Sequence, residues 1–354
     1  MKLADVNYLL NGVAHGSIAH KFMASGGDPN VFRPFVDNDG QSRILRVNAD
    51  GKVRSIVTNS TSLLRPDEWQ EIDNAVVDTA RAETRVWADL RSRGAYNVRG
   101  GMGTTELLTQ TVGNMTPARM SMDGLADSEN DAVEFDLKTI PLPFIHKQFR
   151  IPLRLLETSR KNGTALDTIQ VREAASVCVD LLEQLTLGVI DPYAYGGNAV
   201  YGYRNFPQRL TYSLTAPTSG SWTPRTLVQQ LVAMKKLSTD AFHRGPWRIY
   251  VGPDWAPYID DDYTSTYGGV TLRQRLLQTE GFSSIRTSEY LPDYDIIMVM
   301  EDPKVARAVT AMDWTTLQWE EKAGLALNFM ILGIMLPQLR ADQNGQTGLV
   351  HGAV

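Results

Sequence analysis

One cysteine, Cys178, occurs among 354 residues. An intrachain disulfide is therefore excluded, and so is a cysteine-based metal centre. Such usage suits a reducing compartment. The five histidines, His15, His20, His146, His243 and His351, are scattered. None forms the i, i+4 pair of a helical metal site. No apolar run approaches the ~18 residues that cross a bilayer. The longest, LALNFMILGIML at 325–336, reads as a buried strand pair. The stretch MKLADVNYLLNGVAHGSIAH has no continuous apolar core, so no secretory signal is expected. Positive charge is short as well: 35 Lys and Arg face 40 Asp and Glu, a net of -5. That balance argues against a dedicated nucleic-acid binder.

Motifs of chemistry are also missing. RGGMGTTE (99–106) is glycine-rich but lacks the Gly-Lys-Ser/Thr ending of a phosphate loop, and reads as a flexible strand entry. Asp260, Asp261 and Asp262 are consecutive, so their side chains diverge, and a solvated acidic turn is expected. Glu173, Glu183 and Asp191 read as ion-pairing groups on a helix surface rather than as an acid–base pair. Cys178 lies on the apolar side of that helix, where an inert buried thiol is expected. The expectation is a protein that is not an enzyme, with no catalytic residue, metal or cofactor.

What is present is a sequence of elements. Residues 1–65 carry turn signals and the strand-like pieces SRILRV and KVRSIV. They hold eight Lys or Arg against five Asp, a net of +3, and few large apolar residues, so they read as an extended arm. Residues 66–92 predict a helix. Pro66 fits its first position, Asp67 and Glu68 favour its positive end, and Trp69, Ile72, Val76, Ala80, Trp87 and Leu90 form a stripe. Gly94 is expected to end it. Residues 104–120 and 133–153 predict the two arms of a long hairpin with a polar tip. A ribbon of that kind is marginal in water unless another surface receives it. A basic turn follows. A second helix is expected over 165–190, capped by Gly163 or Thr164, with Leu166, Ile169, Ala174, Val177, Cys178, Leu181, Leu185 and Leu187 as its apolar face. DPYAYGGNAVYGYRNFP then breaks regularity. From Trp222 to about Asp302 the pattern is α/β: a helix from Thr223-Pro224 to Leu237, the strand PWRIYVG, the helix VTLRQRLLQTEG and the strand DYDIIMVME. Strands return over 313–340.

The run VEFDLKTIPLPFIHKQFRIPLRLLETSR, followed by GTALDTIQVREAASVCVDLLEQLTLGVI and GGNAVYGYRNFP, resembles the major capsid protein of tailed bacteriophages. That is the Hong Kong 97-type fold, which encapsulin shells share. GPWRIYVGPDWAPYIDDDY, VTLRQRLL, DYDIIMVME and WEEKAGLALNFMILGIMLPQL extend the likeness over about residues 66–354. The resemblance implies an α+β fold with five parts. These are an N-terminal arm (1–65), an N-terminal helix and lead-in (66–103), an extended-loop hairpin (104–153), a peripheral domain with a spine helix (154–195 and 306–354) and an axial domain (196–305). It further implies a structural protein that self-assembles into the hexamers and pentamers of an icosahedral shell around double-stranded DNA. The alternative is an encapsulin-type compartment holding cargo enzymes. Encapsulins usually start near the first helix, whereas 65 residues precede it here. Scaffolding, portal and decoration proteins and non-specifically held DNA are the implied partners, with no membrane. The implied location is the virion, assembled in the host cytoplasm. Residues 117–137 contain no lysine, so the covalent cross-link that some members form through a loop lysine is not expected.

Charge divides sharply around the hairpin. Asp123, Asp127, Glu129, Asp131, Glu134 and Asp136 stand against Arg119 in the tip, a net of -5. Lys147, Arg150, Arg154, Arg160 and Lys161 stand against Glu157 at its base, a net of +4. The expectation is that the acidic tip of one subunit meets the basic base of the next. Two plain solvated surfaces are the alternative.

Overall fold

A computed structural model describes residues 34–36, 41–47, 53–57, 64, 66–99, 101–112, 135–162, 168–263, 270–292, 294–321, 326–342 and 345–354. Within the region read as an arm, β1 (Pro34–Val36), β2 (Ser42–Val47) and β3 (Val53–Val57) form an antiparallel meander. The predicted helix over 66–92 is two helices, α1 (Pro66–Glu83) and α2 (Val86–Arg93). Trp69, Ile72, Val76, Trp87 and Leu90 are buried as the stripe requires, while Ala80 is half-buried. The break has a physical cause. The backbone amides of Arg85, Val86 and Trp87 turn away from α1 and donate to the Glu183 carboxylate at 2.9, 3.0 and 2.9 Å. Gly94 follows α2, but not as a left-handed cap: its φ is -148°. A Cβ there would lie 3.2 Å from Arg307 Cβ and 3.3 Å from the Ala306 carbonyl, so glycine serves close approach.

After β4 (Ala95–Asn97) and a 3-10 turn, β5 (Glu106–Val112) pairs antiparallel with β6 (Phe135–Pro141), Leu108 facing Thr139. The tip between them lies outside the described residues. The second predicted arm is not one strand. Around Pro141 and Pro143 the chain leaves the ribbon, and β7 (Ile145–Pro152) joins another sheet. The expected basic turn is a helix, α3 (Leu153–Asn162), with Leu156 fully buried. The spine helix is α4 (Ile169–Leu187); its predicted caps, Gly163 and Thr164, lie outside the described residues. It buries Val171, Ala174, Ala175, Cys178, Val179 and Leu182. Ile169, Val177 and Leu181, expected on the apolar face, are instead 66%, 49% and 41% exposed. The helix is apolar around most of its circumference, so periodicity did not select the buried arc. Gly188 closes it in the left-handed region at φ 75°. A Cβ on Gly202 would lie 2.2 Å from the Leu185 carbonyl oxygen, which explains a glycine where the crossing passes the helix end.

Strands β8 (Tyr193–Tyr195) and β9 (Asn198–Val200) make a small hairpin. The α/β unit follows with β10 (Leu210–Ser213), α5 (Pro224–Asp240), β11 (Trp247–Val251), α6 (Ala256–Ile259), α7 (Leu272–Leu277), β12 (Phe282–Thr287) and β13 (Ile296–Met300). Thr223 caps α5 by accepting from the Thr226 amide, as Thr223-Pro224 predicts, and α5 runs past Leu237 to Asp240. Then come β14 (Ala306–Glu321), β15 (Ala326–Leu339) and β16 (Leu349–Ala353). The apolar run 325–336, expected to be a strand pair, falls in a single strand, β15, whose partner is β14. One sheet has the order β4-β14-β15-β7, and the α/β sheet has the order β10-β16-β13-β11-β12. The last strand, β16, thus inserts between β10 and β13, although the sequence groups residues 306–354 with the spine helix. One core cluster joins α1, α2, α3, α4 and β15 to Tyr250, Ile297, Val299 and Leu349 of the α/β sheet. A second lies between that sheet and α5, α6 and α7.

Candidate assembly surface

A charged network ties the spine side of the molecule to the α/β sheet. Arg248, on the fully buried strand β11, reaches Asp89 of α2 and Glu301 after β13, both at 2.6 Å. Arg93 adds a contact to Glu301 at 3.4 Å, and Arg286 one to Asp89 at 3.1 Å. The Tyr250 hydroxyl donates to Asp89 at 3.2 Å, and its ring stacks on Tyr203, with centroids 6.2 Å apart. Burial pushes both phenols above their ordinary pKa, which keeps them neutral. Glu183 is 2% exposed. Burial raises its pKa against the opposing pull of the three amide hydrogen bonds. Those bonds make it a carboxylate cap on α2. Surface ion pairing, the role expected for it, is corrected accordingly. Tyr290 donates to Asp180 of α4.

A second network locks the last strand in place. Arg204 Nε donates to Asp295 at 2.6 Å, and His351 on β16 meets the same oxygen at 3.1 Å. Burial works to raise the Asp295 pKa, but the bonds from His351 and Arg204 carry it below the usual carboxylate range. Each network pairs its charges with partners within the chain.

The other sequence candidates resolve individually. Within RGGMGTTE, Gly101–Gly103 form the 3-10 turn and Glu106 opens β5, with no helix after them to bind phosphate. Asp260 pairs with Arg273 at 2.6 Å, and Asp261 accepts the Asp262 amide at 2.9 Å. Among the described residues no group of three or more His, Cys, Asp or Glu could hold a metal ion. Cys178 is buried, and burial pushes its thiol up to about 11, against a smaller lowering by Lys147. No described helix is long and apolar enough to cross a membrane.

Of the residues expected to join subunits, Asp123, Asp127, Glu129, Asp131 and Glu134 lie outside the described residues. Arg150 is exposed on β7, in register with Asn328. Arg154 and Lys161 are exposed on α3, seven residues apart and hence on one face; Arg160 lies in the same helix. Arg150, Arg154 and Lys161 make no ion pair with any described residue. Nearby, β5 and β6 pair only with each other, and β4 covers β14 only over Ala308–Thr310. Among the described residues, strand edges are therefore left open on both the ribbon and the long sheet. The sequence reading missed the Asp89–Arg248–Glu301 network, because nothing local links residues so far apart in the chain.

Comparison with known proteins agrees with this architecture. The model of the family described as "Family of unknown function (DUF6260)" matches residues 58–352. The type 1 encapsulin shell protein EncA of Myxococcus xanthus is 26% identical over 196 residues, 54% of this chain. The match spans 61% of that protein's length. Among solved structures, the virus-like particle of Pyrococcus furiosus aligns with 80% of this chain and 99% of its own at 13% identity, with a TM-score of 0.58. The capsid of Myoviridae phage XM1 aligns with 73% of this chain and 88% of its own at 11% identity and a TM-score of 0.56. The capsid of a native GTA particle aligns with 84% and 96% at 13% identity and a TM-score of 0.54. The fold is the Hong Kong 97-type capsid fold.

Proposed function

We propose, from the premise that this chain belongs to the family of unknown function (DUF6260), that it is a structural shell protein. Copies self-assemble into hexamers and pentamers, and these close an icosahedral shell around the double-stranded DNA of a tailed phage. The observation that carries the reading is a capsid fold whose described strands leave their edges open. An isolated two-stranded ribbon is marginal alone, and a neighbouring subunit would supply the missing partner surface. The role is structural rather than catalytic. Scaffolding, portal and decoration proteins would be its transient or permanent partners, DNA would be held without sequence specificity, and the shell would form in the host cytoplasm. The domain division given above would then describe how the subunit is shared between shell contacts.

Within that shell, the acidic tip carrying Asp123, Asp127, Glu129, Asp131 and Glu134 would lie on the basic base carrying Arg150, Arg154, Arg160 and Lys161 of a neighbour. Each exposed pair contributes only about 0.2–1 kcal/mol. Repetition at every subunit multiplies the effect, and long-range attraction steers docking.

The sequence likeness to an encapsulin shell protein favours a second reading, a compartment that encloses cargo enzymes. Electron microscopy of particles purified from the native source separates the two. Large shells filled with DNA support the capsid reading. Small shells filled with protein support the compartment. A protein that stays monomeric under all assembly conditions would overturn both.

A further inference from the structure

The network that locks the last strand contains a histidine that the shell reading does not use. His351 lies on β16 and is 7% exposed. Its Nδ1 accepts from Arg209 Nε at 3.4 Å, and its Nε2 stands 3.1 Å from Asp295 Oδ2. A ring nitrogen that accepts carries no proton, so Nε2 bears the hydrogen and donates to the carboxylate. The two contacts together select one neutral tautomer. Arg209 is held in place from its other end, because its Nη1 donates to the Phe206 carbonyl at 3.0 Å. Arg204 Nε holds the same Asp295 oxygen at 2.6 Å.

These contacts join two parts of the chain. Arg204 and Arg209 belong to the crossing between β9 and β10, which passes the end of the spine helix. Asp295 stands just before β13 and His351 within β16, both in the α/β sheet. The charged groups around the ring are Asp295 and the two arginines. Its register partners, Thr211 on β10 and Ile297 on β13, do not titrate. Tyr203 and Tyr250 share a core cluster with Leu349 and are kept neutral by burial. Helix α5 packs on the other face of β16, where Val350 joins the second cluster.

We propose that His351 is a pH-sensitive pin between the crossing and the α/β sheet. Neutral, it accepts from Arg209 and donates to Asp295 at once. Protonated, it takes a second hydrogen from solvent at Nδ1, and that hydrogen meets the Arg209 N–H. The bond to Arg209 is then lost, leaving three cations, His351, Arg204 and Arg209, beside a single carboxylate. Histidine changes charge near about pH 6.5, so the pin holds above that range and releases below it. Asp295 stays ionised throughout, because the bonds from His351 and Arg204 outweigh its burial and keep it below the usual carboxylate range.

Nitrogen NMR of the full chain labelled at histidine reads the tautomer, with His351→Gln identifying the resonance. At pH 8 the Nε2–H form is expected. Hydrogen exchange, corrected for the intrinsic effect of pH, then reads the pin. Protection at Leu210 and over 349–353 should fall at least about threefold between pH 8 and pH 5.5. Glutamine also offers an acceptor and a donor but does not titrate, so His351→Gln should keep its protection across that range. Arg209→Gln removes the cation that opposes the second hydrogen, and should likewise flatten the pH dependence. An Nδ1–H tautomer at pH 8, unchanged protection in the wild type, or a loss of the same size in either variant would each overturn the proposal. None of these readings needs assembled particles, so they stand apart from the shell reading.

Discussion

The junction between α2 and the α/β sheet and the ribbon β5–β6 answer the same physical demand in opposite ways. At the junction, every charge taken out of water meets a partner in the same chain: Arg248 with Asp89 and Glu301, and Glu183 with three amides. In the ribbon, two seven-residue strands pair, among the described residues, only with each other, and Leu108 is exposed. The first region is complete in one subunit. The second leaves hydrogen-bonding edges for something else to fill. A protein built to join copies of itself needs both, a body that holds its shape before assembly and a surface that is incomplete without it.

If the junction carries the subunit's own stability, the largest loss should come from Arg248→Met. It would leave Asp89 and Glu301 buried without their shared cation, at a cost of about 3–5 kcal/mol. Urea denaturation of the unassembled subunit measures it, and a loss within error would place the stability elsewhere. Glu183→Ala should come next, at about 2–3 kcal/mol, because three amides at the start of α2 lose their acceptor. Loss of α2 protection in hydrogen exchange would locate the damage.

Asp295 sharpens the comparison through pH. Its folded pKa lies below its ordinary value, so the unfolded chain binds the proton more readily in that window. The stabilisation is complete above the ordinary carboxylate pKa of about 4 and drains away as pH falls through the lower folded value. Denaturation midpoints taken from pH 6 down to pH 3 should fall steeply in the wild type and less steeply in Arg204→Met. Cys178→Ala should cost about 1 kcal/mol or less and leave shells intact, since the thiol has packing to offer and no reaction. At pH 8 the native thiol should resist iodoacetamide, because burial holds it protonated.

The smallest effect on the subunit should come from the charged surface proposed above to join subunits. Reversing Arg154 and Arg160 to Glu should change subunit stability by no more than about 0.5 kcal/mol. Assembly followed by light scattering should nevertheless fail or slow. Adding Glu129→Lys and Asp131→Lys should restore it. Unchanged assembly and salt dependence after the first reversal would place the acidic tip on some other surface.

Elements with strong local grammar were readable from the sequence. Thr223-Pro224 marks the start of α5, because hydroxyl cap and fixed φ act within one turn. The apolar strands β11 and β13 are legible for the same reason of locality. The element order was specific enough to indicate the capsid fold. The segment of α3 reads as a basic turn from Arg154, Arg160 and Lys161, yet Leu153, Leu155 and Leu156 are good helix formers and Leu156 is buried. The candidate site was legible only as charge: the basic base is placed on β7 and α3, while the acidic tip falls outside the described residues.

By itself, then, the sequence determined what short-range physics decides. It set most of the runs that are helix or strand and the charge separation around the hairpin. Tertiary structure decided whatever depends on residues far apart in the chain. It broke the first helix at the place where Glu183 could cap three amides. It turned the spine helix so that Ile169, Val177 and Leu181 face outward. It also brought β16 back between β10 and β13, where His351 meets Asp295. A long-range contact is chosen by the burial and pairing of both partners together, and neither partner's local sequence contains that choice.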